Sequence, residues 1–287
     1  MKNAGQLIAA VPSLPTLSPT VAKLSAMLGD ENSTAEDMEK VIRLDPALTA
    51  NLLRMANSPI FGLRRKVESV RQAVVFLGTK RLYEAVVSAS ISKVIPKTIP
   101  GYDMDSNAFW VHSVAVGVMA ESLARELGVP EPDFVYTGGL LHDMGKLLVG
   151  VYLTRKGSRG EELRAIEEGT LIEREKEVFG FDHTEAGHIL ANAWNLPDRI
   201  CYGVRWHHRP EATPEGVDQT MVDLVHAANG LAHSIGFGGD VAELSRKVEE
   251  SVIDRLGIKV QRLEAVASET MEQISDLGQQ VGDPAGG

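Results

Sequence analysis

Gly138-Gly139-Leu140-Leu141-His142-Asp143-Met144-Gly145-Lys146 sets an imidazole, a carboxylate and an amine side by side in an otherwise apolar helical run. Burying such groups without partners is costly. Two arrangements satisfy them. A metal ion takes a neutral ring nitrogen and an anionic oxygen together; alternatively, the aspartate caps a helix and the histidine is held by an ordinary hydrogen bond. Gly145 leaves room for another backbone to approach, and Lys146 is placed to hold a phosphate oxygen. Taken alone, this stretch favours the second arrangement.

Outward from it, the pattern is helical nearly throughout. Upstream, Val21, Leu24 and Leu28 keep helical spacing up to Gly29, and Ser33 with Glu36 reads as a capping box for a helix over 35–44. Asp45-Pro46 starts another helix, stopped by Asn57-Ser58-Pro59; Ser69 caps a helix ending at Gly78, and Thr79 opens one reaching Ile95. Downstream, helices are expected at 107–127, 133–149, 161–179, 184–194, 198–207, 218–235, 241–256 and 260–278. No sustained two-residue alternation and no fixed-period repeat is visible. The expected class is all-α.

At 287 residues and 44% hydrophobic, the chain has the length of one or two domains and enough apolar side chains for a sizeable core. Lys97-Thr98-Ile99-Pro100-Gly101-Tyr102 is the best internal boundary, because Pro-Gly coincides with a change of charge sign. Residues 1–100 carry 13 basic and 8 acidic side chains, whereas 101–287 carry 16 and 31 and hold all eight histidines. The expected organisation is an N-terminal helical part at 1–100, a helical domain at 101–258, and a C-terminal helix with a frayed tail at 259–287. A net charge of -10 disfavours a general nucleic-acid binder. A lone Cys201 forbids an intramolecular disulfide and reads as a small buried hydrophobe, which fits a reducing, cytoplasmic setting. No apolar run is long enough for a transmembrane helix or a signal-peptide core, so no membrane association is expected.

The histidines are ordered: His112, then His142-Asp143, then His183, then His207-His208. This arrangement resembles the HD metal-dependent phosphohydrolase superfamily. Further stretches narrow the resemblance to its HDOD (HD-related output domain) subgroup: Leu14-Pro15-Thr16-Leu17, the Ile42–Leu48 run, Leu53-Arg54-Met55-Ala56-Asn57-Ser58-Pro59, the Val70–Gly78 run, Phe181-Asp182-His183-Thr184-Glu185-Ala186-Gly187, Trp194-Asn195-Leu196-Pro197 and His207-His208-Arg209-Pro210-Glu211. The match spans roughly residues 12–235.

The resemblance implies a multi-helical HD-type core behind an N-terminal helical bundle. It also implies a divalent metal (iron, manganese, zinc or magnesium) with His112, His142 and Asp143 as ligands. Lys146 becomes the phosphate-side lysine, and His183, His207 and His208 become auxiliary ligands or phosphate contacts. Asn229 stands where the family has a late aspartate, which removes a charge from the ligand set. If the chain is an enzyme, Asp143, Lys146 and His183 are its catalytic candidates. Family members usually act as signalling output modules through protein partners. That reading is preferred, with a metal-dependent phosphohydrolase of nucleotides or phosphodiesters as the alternative. The Gly-Tyr-Pro motif of the related cyclic-di-GMP phosphodiesterases is absent after His208, which disfavours that activity.

His226 and His233 lie one turn either side of Asn229 and are free to face the same side. Glu173, Glu175 and Glu177 fall in a charged segment, 161–177, expected as an exposed helix or a flap; a glutamate reaching the metal from it would restore the charge missing at Asn229. The basic residues Arg64, Arg65, Lys66, Arg71, Lys80 and Arg81 read as a solvated face. Val260, Leu263, Val266, Met271, Ile274 and Leu277 form an amphipathic run suited to packing on the body or against a second chain, so a homodimer is open.

Overall fold

Local capping chemistry starts seven of the helices in the computed structural model. The model describes residues 4–10, 19–28, 33–57, 61, 63, 65–91, 94–102, 104–130, 132–158, 160–164, 168–238 and 247–280. The N-terminal part contains α1 (Ala4–Ala10), α2 (Pro19–Leu28), α3 (Ala35–Arg43), α4 (Pro46–Ala56) and α5 (Val70–Ile91). Asp45 accepts the Leu48 N–H at 2.9 Å and Pro46 opens α4, as expected. The box before α3 is Thr34 with Asp37 rather than Ser33 with Glu36. The helix begins at Ala35, so its cap is the residue immediately before. Gly78, at φ 73° and ψ 173°, breaks α5 where the sequence places a stop. The stretches Leu14–Leu17 and Ser58–Ile60, the basic Arg64 and the tail beyond Gln280 lie outside the described residues.

Asn57 does more than end α4. Its amide donates to the carbonyls of Leu53 at 2.7 Å and Val67 at 2.8 Å, and its oxygen accepts the Val67 N–H at 2.7 Å. One side chain thus ties the end of α4 to the chain that leads into α5. Asn57→Ala is expected to lower stability by about 1–3 kcal/mol, read as a shift in the urea midpoint at unchanged slope.

A two-stranded antiparallel pair, β1 (Thr98–Ile99) and β2 (Met104–Asp105), forms at the expected boundary. It leads into α6 (Ser106–Glu126), α7 (Pro132–Leu141), α8 (Gly145–Arg155), α9 (Glu161–Arg164), α10 (Leu171–Phe179), α11 (His183–Ala193), α12 (Asp198–Trp206), α13 (Gln219–Ser234), α14 (Glu250–Leu256) and α15 (Val260–Gln280). The fold is all-α, and among the described residues no helix is long and apolar enough to cross a membrane.

Two expected helices are divided. The 133–149 run stops at Leu141 and restarts at Gly145, so His142-Asp143-Met144 is a turn. The His142 ring takes the Gly139 carbonyl at 2.7 Å, competing with the helical ladder at that point. The 161–179 run splits because Thr170 and Glu173 form a capping box that opens α10 afresh. Of the helix expected over 241–256, residues 250–256 are helical as α14, 247–249 are not, and 241–246 lie outside the described residues.

The largely buried α6 lies at the centre, packed by α7, α13 and α15, while α8, α11 and α12 pack in sequence on one another, with α12 against α7 and α13. One connected set of buried apolar residues runs from Leu7 of α1 to Ile274 of α15. Phe109, Trp110 and Cys201 are all buried in it, as their apolar context implies. At the N-terminal end, α1 packs on α8, and Arg155 donates to the Ala9 carbonyl at 2.6 Å.

Candidate metal centre

Four ends of structure converge on Asp143: the first turns of α6, the turn between α7 and α8, the start of α11 and the end of α12. Two glycine contacts bring them close. A Cβ at Gly139 would meet the Val116 carbonyl at 2.8 Å, and one at Gly145 would meet the His183 carbonyl oxygen at 1.8 Å. Bare backbone is therefore required where α7 crosses α6 and where α8 crosses α11.

The result is two groups of donors sharing one carboxylate. His112, His142 and Asp143 form the first; Asp143, His183, His207 and His208 form the second, with the ligand atoms of each group within 4.8 Å of one another. Asp143 Oδ2 lies 3.6 Å from His112 Nε2 and 3.5 Å from His142 Nε2. Its Oδ1 lies 3.3 Å from His183 Nε2 and 3.7 Å from His207 Nε2. His183 and His208 approach Nε2 to Nε2 at 2.9 Å.

Ring orientation is set from behind. The Nδ1–H groups of His112, His142 and His207 donate to the carbonyls of Phe237 (2.8 Å), Gly139 (2.7 Å) and Val204 (2.9 Å). Each ring therefore turns an Nε2 lone pair inward, the usual outer-shell device for a metal-binding histidine. Burial, partly opposed by Asp143, holds His112 down at about 4 and His142 well below its ordinary range, so both are neutral. Their Nε2 atoms then face each other at 3.3 Å with no proton to share. Lone pairs set against each other in this way fit a cation between them. The donor set fits a divalent metal.

Asp143 is kept anionic. Burial alone would raise its carboxyl, but the His142 ring and the Lys146 ammonium, with the His183 and His207 rings beside it, hold it well below the usual range. Lys146 Nζ sits 2.8 Å from Asp143 Oδ2, fully buried, with the Tyr102 ring 5.5 Å away. For His183, burial opposes protonation, yet Glu175 and Asp143 carry it up to about 10. A cation and the Nε2 proton compete for that position.

Asn229 is fully buried on α13, and neither its Oδ1 nor its Nδ2 has a hydrogen-bond partner among the described residues. A buried amide of this kind calls for an ion, a ligand or an ordered water. Two further histidines lie on α13. His233 is buried with its ring 5.0 Å from that of His112. His226 is a brace: its Nδ1–H donates to the His207 carbonyl at 2.8 Å and its Nε2 accepts the Glu249 N–H at 3.0 Å. His226 therefore holds the His207 backbone and has no nitrogen left for a metal.

The expectation for the glutamate segment changes. Glu173 is exposed in its capping box and Glu177 is exposed, but Glu175 is fully buried against His183. Leu171, Glu175 and Phe179 are spaced one turn apart, so a carboxylate in the middle of an apolar stripe was the available signal. Tyr102, which donates to Glu175 at 2.5 Å, carried no such signal because 73 residues separate the two.

A multi-helical fold closed around a buried His/Asp centre defines a protein of the HD type. The HDOD domain model matches residues 14–210, and the chain belongs to the HDOD domain family. The crystal structure of a “Putative phosphohydrolase” from Shewanella amazonensis SB2B is similar, with a TM-score of 0.73 at 25% identity, over 96% of this chain and 98% of that one. An HDOD domain protein with unknown function from Geobacter sulfurreducens has the same fold, with a TM-score of 0.69 at 24% identity, over 94% and 99% of the two chains. An uncharacterized protein of Treponema pallidum (strain Nichols) is 24% identical over 231 residues, 79% of this chain. The chain spans 44% of that relative's length.

Proposed function

We propose that this chain is a signal-transduction output module whose metal-loaded His/Asp cluster is the rigid centre of a partner-binding scaffold, not a turnover site. The observation that carries this reading is burial. His142, Asp143, Lys146, His183 and His207 are 0% exposed, and His112 and His208 are 1% and 7% exposed. Hydrolysis of a nucleotide or phosphodiester requires a path to the metal and a free lysine. Here the lysine is engaged by Asp143. Five imidazoles and one carboxylate favour zinc or iron over magnesium, which prefers oxygen ligands. Residues 1–100, 101–258 and 259–287 are read as the N-terminal helical part, the HD-type domain and the C-terminal helix. Other signalling proteins are the expected partners, in the cytoplasm, with a homodimer open.

The second reading, a metal-dependent phosphohydrolase, is favoured by the completeness of the histidine set. In that reading the metal supplies Lewis acidity, Lys146 holds a phosphoryl oxygen, and His183 delivers a proton to the leaving group.

The two readings separate on Asn229→Asp and His142→Ala. For the output module, neither the wild-type protein nor Asn229→Asp hydrolyses a panel of nucleotides and phosphodiesters with zinc, iron or manganese. Asn229→Asp tightens metal binding about tenfold through the added charge, and His142→Ala loses one metal and changes stability or partner binding with no turnover to abolish. Metal-dependent turnover that rises in Asn229→Asp and disappears in His142→Ala would establish the enzyme reading instead.

A further inference from the structure

Glu175 stands in an unusual position for a residue outside the ligand set. Its carboxylate is completely buried on α10 and accepts the main-chain N–H of His183 at 2.8 Å. It also accepts the His183 Nδ1–H, at 2.8 Å and 3.0 Å to its two oxygens, and the Tyr102 hydroxyl at 2.5 Å. The ring of that tyrosine lies 5.5 Å from the Lys146 ammonium. One carboxylate therefore joins the β1–β2 turn, the first residue of α11 and, through Tyr102, the first turn of α8.

The charge balance of the cluster explains why a carboxylate is needed there. Among the matched ligands only Asp143 is anionic, because Asn229 is neutral, and Asp143 already faces the Lys146 ammonium. Divalent cations added to that buried space leave a surplus of positive charge, which a low-dielectric interior does not tolerate without a further anion. Glu175 provides one in direct contact with His183, on the ring nitrogen opposite the one facing Asp143. A carboxylate behind a ligating histidine fixes its tautomer and raises its donor strength.

We propose that Glu175 is the second anionic charge of the centre. It acts through His183 as a positioning residue for the metal position formed by Asp143, His183, His207 and His208, and makes up the charge that Asn229 leaves out. The proposal rests on the reading of the cluster as a metal centre.

The test is a zinc titration of the full chain, stripped of metal, with competition against a chelator and elemental analysis of the loaded protein. Wild type is compared with Glu175→Gln, Glu175→Asp and Tyr102→Phe. Wild type takes up two zinc ions. Glu175→Gln keeps the zinc on His112, His142 and Asp143 but binds the second about 10–100-fold more weakly. Glu175→Asp, which keeps the charge with a shorter reach, is the milder of the two. A purely structural role reverses that order, since glutamine is the isostere. Tyr102→Phe removes one hydrogen bond to Glu175 and weakens the second zinc a few-fold, which decides the matter should Glu175→Gln fail to fold. Wild-type affinity for both zinc ions in Glu175→Gln, or in Tyr102→Phe where the glutamine variant does not fold, overturns the role of Glu175. Wild-type protein that takes up no zinc overturns instead the metal reading on which it rests.

Discussion

Asp143→Asn is expected to empty both metal positions at once. Its two carboxylate oxygens face different histidines, Oδ2 toward His112 and His142 and Oδ1 toward His183 and His207, so no other residue belongs to both donor groups. The asparagine retains one oxygen and no charge. It also leaves the fully buried Lys146 ammonium without the carboxylate 2.8 Å away. Breaking a buried pair from one side costs about 3–5 kcal/mol. Metal affinity should therefore fall by a factor of about 100 or more, and the stripped variant should unfold at markedly lower urea than stripped wild type. By contrast, His112→Ala touches one group only and should retain one metal. An Asp143→Asn protein that still holds a full complement of metal would show that the two groups do not share this carboxylate.

Gly145→Ala is expected to have the largest effect on folding of any single added methyl group. The new Cβ would lie 1.8 Å from the His183 carbonyl oxygen, 2.4 Å from the Gly187 amide nitrogen and 2.9 Å from its Cα. All three obstacles are backbone, so no side-chain rotation relieves them; α8 and α11 must move apart. Overpacking of this kind costs about 3 kcal/mol or more. Because the separation also pulls His183 away from Asp143, the metal position that includes His208 should be lost together with stability. Gly187→Ala is the internal comparison. Its Cβ would meet the side-chain Cγ1 of Val204 at 2.7 Å, an obstacle that a rotamer change can ease. Equal stability of Gly145→Ala and wild type by chemical denaturation would contradict the close α8–α11 crossing.

Much of the centre was readable because its chemistry is local or ordered along the chain. The His142-Asp143 doublet, with His112 before it and His183 and His207-His208 after it, named the six residues that converge. Caps at Asp45 and Ser69 placed helix starts correctly, since a cap is a contact across three residues. Features that depend on distant partners were not readable. The turn at 142–144 depends on the His142 ring taking the Gly139 carbonyl, and on α11 pressing against Gly145. The role of His226 depends on Glu249, 23 residues further on. Glu175 lay in a segment whose overall charge suggested solvent. Only its position between Leu171 and Phe179 on one helical face marked it as an inward carboxylate.

Metal content of the purified chain, by elemental analysis alongside His142→Ala and Asp143→Asn, separates a metal centre from a packing cluster. Zinc or iron should approach two per chain in the wild type, about one in His142→Ala and none in Asp143→Asn, following the two donor groups and their shared carboxylate. Wild-type protein that holds no metal after exposure to both, with all three proteins alike, would contradict a metal centre and leave the converging histidines as packing groups.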